Sequence, residues 1–386
     1  MPDAPITYGI LQPGPSVEKG VLYVRPTEIK DGVIDINALR RTTPEIAGRY
    51  AKSRLCTGDL LITIVGTIGN IATVPPELDG ANITQSSARI RPNAEVVCSG
   101  YLFHYLRSTA AIRQYDDNRL GATVPRLNLH HVRDLQIPLP PLPVQKRIAA
   151  ILDAADALRA KRRESIEQLD SLIQATFLEM FGDPVTNPKG WECGHIGDLM
   201  ASVNYGTSKK AHSTDGAFPI LRMGNITYEG GWDFSDLKFI DLDGKERDKY
   251  LVHRGDILFN RTNSRELVGK TAVYRSDTPM AFAGYLVRAV TNERASPEYV
   301  GAFMNSRQIK ASLRNMCKAI VGMANINASE FRAIGIPIPP LDLQTRFASI
   351  VESIEQQKAR LKAHLDELDT LFASLQSRAF NGELVA

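Results

Sequence analysis

Two stretches of this 386-residue chain repeat apolar residues at spacings of three and four for longer than any other part. Over residues 143–181 the stripe runs Ile148, Leu152, Ala155, Arg162, Ile166, Leu169, Ile173, Thr176 and Met180. Over residues 342–380 it runs Phe347, Val351, Ile354, Leu361, Leu365, Leu368, Phe372, Leu375 and Ala379, in the same register. A narrow stripe of this kind, with charged residues around the rest of the surface, predicts a long amphipathic helix of heptad-like character. At 1.5 Å per residue each helix is expected to be roughly 58 Å long. Glycine follows both, in "FGDP" (181–184) and "FNGEL" (380–384), as helix ends favour. Two equal stripes are most simply buried against each other, so we expect an intramolecular antiparallel coiled coil and a pseudo-twofold axis. Its seam is assigned to Ile148, Leu152, Ile166, Leu169 and Ile173 with Phe347, Val351, Leu361, Leu365, Leu368 and Phe372. The alternative is that each helix packs only on its own neighbouring globular region.

Outside these helices the period changes. Short β-branched runs such as "LLITIV", "ILFN" and "TAVY", bounded by Gly, Asn and Asp, read as strands. "GYLFHYLRSTAAIRQY" (100–115) and "EYVGAFMNSRQIKASLRNM" (298–316) read as helices. These pairs are copies. "IPLPPLPVQKRI" ends at Ile148 and "IPIPPLDLQTRF" at Phe347, 199 residues later, with seven of twelve positions identical. "TVPRLNLHHVRDLQIPLPP" (123–141) aligns without gaps on "GMANINASEFRAIGIPIPP" (322–340), and "GDLLIT" (58–63) echoes "GDILFN" (255–260). Near the front, "YG" and "VRPTEI" (8–9, 24–29) fall against "YG" and "LRMGNI" (205–206, 221–226). So long a period means duplicated domains, because solenoid repeats run about 20–50 residues. The predicted fold class is mixed α/β (α+β), with two tandem globular domains at 1–141 and 185–340. A long spacer-helix region follows each, at 142–184 and 341–386.

Composition narrows the function classes. With 43% hydrophobic and 23% charged residues the chain reads as globular, and a net charge of +3 is too small to argue for nucleic acid alone. Any basic surface must come from local clustering. Cys56, Cys98, Cys193 and Cys317 are scattered without a CxxC pair, which excludes the usual zinc spacings and a disulfide framework and fits a reducing compartment. The first residues show no basic, apolar leader, and "LLITIVGTIGNIATV" (60–74) is too short and glycine-punctuated to span a bilayer. The expected location is cytoplasmic.

No catalytic constellation emerges. "SRELVGKTAVY" (264–274) has Ser264 where a phosphate loop needs glycine, so its "GKT" reads as a turn between strands. "GTIGN" lacks the dinucleotide spacing, and adjacent His130 and His131 point in different directions on any regular element. The carboxylates of "IDLDGKERDKY" (240–250) read as a polar turn. There is no GxSxG, HExxH or kinase-like set, and no Asn-Pro-Pro-aromatic tetrad. No catalytic or metal-ligating residue is assigned, and a stand-alone nuclease is the weakest reading. What recurs is polar and basic loop residues at corresponding places in both globular regions. The first supplies Thr63, Thr67 and Asn70, then Gln85, Ser86 and Arg89, then Arg126. The second supplies Lys209 and Lys210 after its "YG", then Arg261, Asn263, Arg265 and Lys270. Arg suits guanine edges, Asn and Gln suit adenine edges, and Lys suits phosphates, so these are the candidate DNA contacts. The alternative function is a two-headed protein–protein scaffold without DNA recognition.

The pattern resembles the specificity (S) subunit of type I restriction-modification systems. "GDLLI" and "GDILF", the turns at 121–129 and 322–328, the twinned proline block, "LIQATFLEMFG" and "LFASLQSRAFNGEL" carry the likeness over nearly the whole chain. The resemblance implies that each globular half reads one part of a bipartite double-stranded DNA site. It implies that the long helices dock two methyltransferase subunits, through which restriction subunits join. The chain itself is then non-catalytic and binds no cofactor, with S-adenosylmethionine, ATP and Mg expected on the partner subunits. One departure stands out: the second half opens with "PKGWECGHIGDLMASVNYG" (188–206), whereas the first begins almost at "TYG" (7–9). The first half is therefore expected to have a shortened edge, or one completed in another way.

Overall fold

The computed structural model describes residues 5–121, 123–316, 318–320 and 323–384, so Cys317 and Gly322 of the turn at 322–328 lie outside the described residues. The chain forms two compact units, Met1–Arg162 with His364–Ala386, and Arg163–Ala363.

In the first unit a four-stranded antiparallel sheet has the order Thr7–Tyr8, Ser87–Ile90, Leu60–Thr63, Ile71–Thr73. A second sheet runs Arg40–Thr42, Val21–Val24, Asn82–Ile83, and its last two strands are parallel. Leu60, Leu61 and Ile62 are all fully buried, which is why this strand reads as an unbroken apolar run. Leu60 and Ile62 pack with Leu102, Tyr105 and Leu106 of the helix Ser99–Leu106, while Leu61 packs with Val24 and Ile83 of the other sheet.

The second unit repeats the main sheet strand for strand and adds a fourth strand to the second sheet. Its main sheet runs Met200–Tyr205, Leu286–Thr291, Ile257–Asn260, Thr271–Val273. Its second sheet places Phe218–Leu221 parallel to Met280–Phe282, flanked by Lys238–Ile240 and Leu251–Val252. Ile257 and Phe259 face Tyr299 and Phe303, and Leu258 faces Leu221 and Phe282. The turn read from "GKT" does join two strands, and Gly269 takes φ +86° with a Cβ position only 2.6 Å from Leu313. Any side chain there would strain the backbone and strike a buried leucine.

One expectation about the elements needs correcting. The helices read over 100–115 and 298–316 are each broken by a serine, giving Ser99–Leu106 and Thr109–Asp117 in the first unit, and Pro297–Asn305 and Arg307–Met316 in the second. Ser108 caps the following helix by accepting from the Ala111 amide, and the Ser306 hydroxyl donates back to the Phe303 carbonyl. Hydroxyls that offer the backbone such local bonds favour helix ends over helix interiors. The prelude to the second half also gains a structural meaning. Glu192–His195 pairs with the strand Gly335–Ile338, whereas residues 134–140 of the first unit form no strand and Leu139 is 56% exposed.

The twinned proline block is the joint between each globular region and its helix. Tyr101 donates to the Pro138 carbonyl at 2.8 Å, and Tyr299 to the Pro337 carbonyl at 2.6 Å. Gln145 accepts from the Cys98 amide and donates to the Val96 and Pro140 carbonyls. Gln344 accepts from the Ser296 amide and donates to the Arg294 and Pro339 carbonyls. Both glutamines are buried and use their whole amide, so the repeated Gln has a structural cause.

The long helices are Leu142–Phe181 and Leu341–Phe380, 40 residues each. In the first unit Ile148, Leu152 and Ala155 pack with Phe372 and Ala379, and Phe380 sits edge-on to Tyr101 and Tyr105. In the second unit Phe177 and Phe181 pack on Phe347 and Tyr299. Within each unit the helices thus run antiparallel and also cover the globular region, so both expected modes of burial occur together. Ile148, Leu152, Phe347, Val351 and Phe372 are buried seam residues; Ile166, Leu169, Ile173, Leu361, Leu365 and Leu368 are half-buried. Phe177, absent from the sequence-derived stripe, is only 1% exposed.

Candidate nucleic-acid interface

In the second unit the loops that leave the strand ends converge on a cleft of about 680 Å³. Among the described residues its lining includes Lys209, Lys210, Arg222, Lys238 and Arg261 and no carboxylate. Arg261 follows the central strand Ile257–Asn260; its guanidinium lies 4.9 Å from the Tyr205 ring centre and donates to the Gly284 carbonyl. That pose fixes the arginine while leaving most of its donor fork uncommitted. Arg222 is held by Asp236 and Lys209 by Glu246, whereas Lys210 and Lys238 have no carboxylate partner among the described residues. A smaller cleft of about 390 Å³ shares Arg222 and Tyr285 and adds Asn225 and Asn263, together with the carboxylates Asp233 and Asp236. Tyr285, 51% exposed, stands between the two. Clustered cations, amide side chains and exposed aromatic rings suit phosphates, base edges and base faces.

The remaining assignments in this unit divide. Asn263 is half-buried on the short strand Thr262–Asn263, which pairs with Met323–Asn325. Arg265 is exposed and donates to the Arg314 carbonyl. Lys270 must be corrected: it is 7% exposed, and its ammonium donates to the Ile226 carbonyl. Burial lowers its pKa, and at most it meets the floor of the smaller cleft. The acidic run has a local purpose, since Asp243 and Glu246 form the capping box of the helix Gly244–Tyr250.

In the first unit Gln85 and Ser86 occupy the loop between Asn82–Ile83 and Ser87–Ile90, the place that Gly284 and Tyr285 take in the second. Arg126 is exposed and bridges Val65, as Asn325 pairs with Thr262. Thr67 is exposed, and Asn70 is half-buried with its amide on the Ile29 carbonyl. Thr63 and Arg89 are corrected to interior residues. Thr63 closes its own turn through Thr67 and Asn70, and Arg89 donates to the Arg54 and Pro5 carbonyls. Each is 3% exposed or less, too deep to meet a ligand.

Arg222, which lines both clefts, was missed although the repeat marked it, as was Tyr205 against Arg261. Arg25 and Arg222 are the shared arginine of "VRPTEI" and "LRMGNI", and Tyr8 and Tyr205, 45% and 44% exposed, are the shared tyrosine of "YG". Lys238 and Tyr285 carried no such mark. Among the described residues no helix is long and apolar enough to cross a membrane. Cys56, Cys98 and Cys193 are free thiols.

Known proteins agree with this architecture. A family model described as type I restriction modification DNA specificity domain matches residues 18–168 and 188–369. The type I restriction enzyme EcoKI specificity subunit of Escherichia coli K12 is 25% identical over 319 residues, covering 77% of this chain and 68% of that protein. The EcoBI specificity subunit of Escherichia coli is 28% identical over 186 residues, which span 47% of this chain and 39% of that one. Among solved structures, a chain from a type I R-M system aligns over 98% of this chain and 95% of its own, with TM-score 0.53 and 22% identity. The S subunit of a type I system from M. genitalium aligns over 97% and 93%, with TM-score 0.52 and 14% identity.

Proposed function

This chain belongs to the type I restriction-modification DNA specificity family, and from that premise we propose how it works. Each unit reads one half of a bipartite site in double-stranded DNA through the loops at its strand ends. The observation that carries this reading is one main-sheet topology made twice, with a cation-lined cleft that has no carboxylate among its described lining residues where the loops of the second copy converge. Arg261 and Asn263 serve as base readers of one half-site; Gln85, Ser86 and Arg126 serve the other. Lys209, Lys210 and Lys238 set the phosphate register.

The chain performs no chemistry of its own. It brings methyltransferase subunits, and through them restriction subunits, to the site, and S-adenosylmethionine, ATP and Mg belong to those partners. Leu172 and Leu371 support a docking role for the helices: they are repeat copies of one another, and both are nearly half exposed, at 47% and 49%. Two equivalent apolar points suit two copies of one methyltransferase.

The test is to combine the full chain with its cognate methyltransferase and map methylated adenines on a genomic library. A bipartite motif with an unread gap is expected, with binding that weakens steeply as salt rises. A continuous motif, or methylation by the chain alone, would overturn the reading. The scaffold alternative predicts no salt-dependent binding to duplex DNA by the assembled complex.

A further inference from the structure

Both helices carry a cation at the same seam position, Arg159 and Lys358, which are repeat copies 199 residues apart; the first helix has a further one at Arg162. In the first unit Arg159 donates to Asp156 on its own helix at 2.7 Å and to Asp369 on the facing helix at 2.5 Å. Its guanidinium also covers the Phe372 ring, 4.4 Å from the centre. In the second unit Lys358 donates to Glu355 on its own helix at 2.9 Å and to Asp170 on the facing helix at 2.5 Å. Asp156 and Glu355 are copies of each other, and so are Asp170 and Asp369, so one clamp is built in each unit from the same three repeat positions. Lys358 is 5% exposed, a depth at which a lysine needs its acids.

An apolar heptad seam tolerates sliding, because a shift of seven residues again puts apolar on apolar. The clamps do not tolerate it. A slide of one heptad in one direction would bring Lys358 opposite Arg163 and Arg159 opposite Lys362. In the other direction they would face Phe177 and Gln376, neither of them an acid. We propose that Arg159 and Lys358, with Asp369 and Asp170, are the positioning residues that lock the register of the long helices and thereby fix the unread gap between half-sites. This rests on the bipartite reading proposed above. A heptad slide displaces a helix by about 10 Å, or roughly three base pairs.

The experiment maps methylation by full-length variants with the cognate methyltransferase on DNA libraries of varied gap. Replacing both cations by leucine (Arg159→Leu with Lys358→Leu) keeps the seam apolar, and Asp170 and Asp369 are exposed enough, at 29% and 41%, to turn to water. The expected result is unchanged half-sites with gaps spread over several base pairs where the parent accepts one. The parent's single gap in the double-leucine variant would overturn the proposal. If that variant is insoluble, Lys358→Asp is compared with Lys358→Asp/Asp170→Lys. The single change should lose the defined gap and the reciprocal swap should restore it; a swap that folds without restoring it would overturn the proposal. A parent complex that methylates no bipartite site would instead count against the underlying reading.

Discussion

Arg89 and Lys270 show how little a residue's type says about its address. Both are cations in polar loop sequence, yet each lies in the interior and ends on backbone carbonyls. Truncating Arg89 to Ala leaves the Pro5 carbonyl without its donor and the Arg54 carbonyl with Arg91 alone, at a cost of about 1–3 kcal/mol. Denaturant unfolding should show that loss while the half-site recognised by the folded fraction stays the same. Arg261→Ala is the contrasting case, because its fork faces the cleft. It should leave the unfolding midpoint nearly unmoved and weaken reading of one half-site by about 1–3 kcal/mol. His104 adds a pH effect. Burial holds its pKa below the ordinary imidazole value against the pull of Asp153, which accepts from its ring at 2.7 Å. As pH falls through about 6.5 the unfolded chain takes up that proton before the folded chain does, so stability falls, and the decline from this group ends below the folded-state pKa. Melting curves at pH 7.5 and 5.5 should therefore differ more for the parent than for His104→Phe.

Elements were legible wherever a pattern reports on itself. The register of both long helices could be read because burial on one side imposes a period, and the repeat could be read because a copied joint needs the same glutamine and prolines. The clamps could not. A charged residue at a seam position looks like an interruption until the acid on the facing helix is known, and no local pattern supplies that acid. The serine breaks at 108 and 306 were hidden for a related reason: the apolar period runs through them, and only the hydroxyl's bond to the backbone ends the helix. The cleft was legible in part, since Arg261 lies on a recognisable loop. Lys238 and Tyr285 arrive from strands and turns whose convergence depends on sheet order. The joint itself offers a test at this scale. Gln145→Leu leaves the Cys98 amide and the Val96 and Pro140 carbonyls unpaired next to the core, and Gln344→Leu does the same to Ser296, Arg294 and Pro339. Each is expected to cost roughly 2–4 kcal/mol. Hydrogen exchange should locate the loosening in the first unit for one change and in the second unit for the other.

On the scale of the whole molecule, duplication makes the helices the natural measure of the DNA gap. Inserting four residues, about one helical turn, into one long helix should lengthen the preferred gap and leave both half-sites unchanged; a gap unmoved in methylation maps would show that something else sets it. The partition of the chain carries a different consequence. Residues 163–363 form the second unit without a break, but the first is made of Met1–Arg162 and His364–Ala386. On the ribosome, the helix segment that buries Tyr101, Ile148 and Leu152 emerges only after the entire second unit has been translated. The first globular region must therefore wait with an apolar face open, the kind of surface that nascent-chain chaperones hold and that aggregates when they are scarce. A chain stopped after residue 363 should carry a protease-resistant second unit and a first unit that is cut near 97–155, and supplying the peptide 364–384 in trans should restore its resistance.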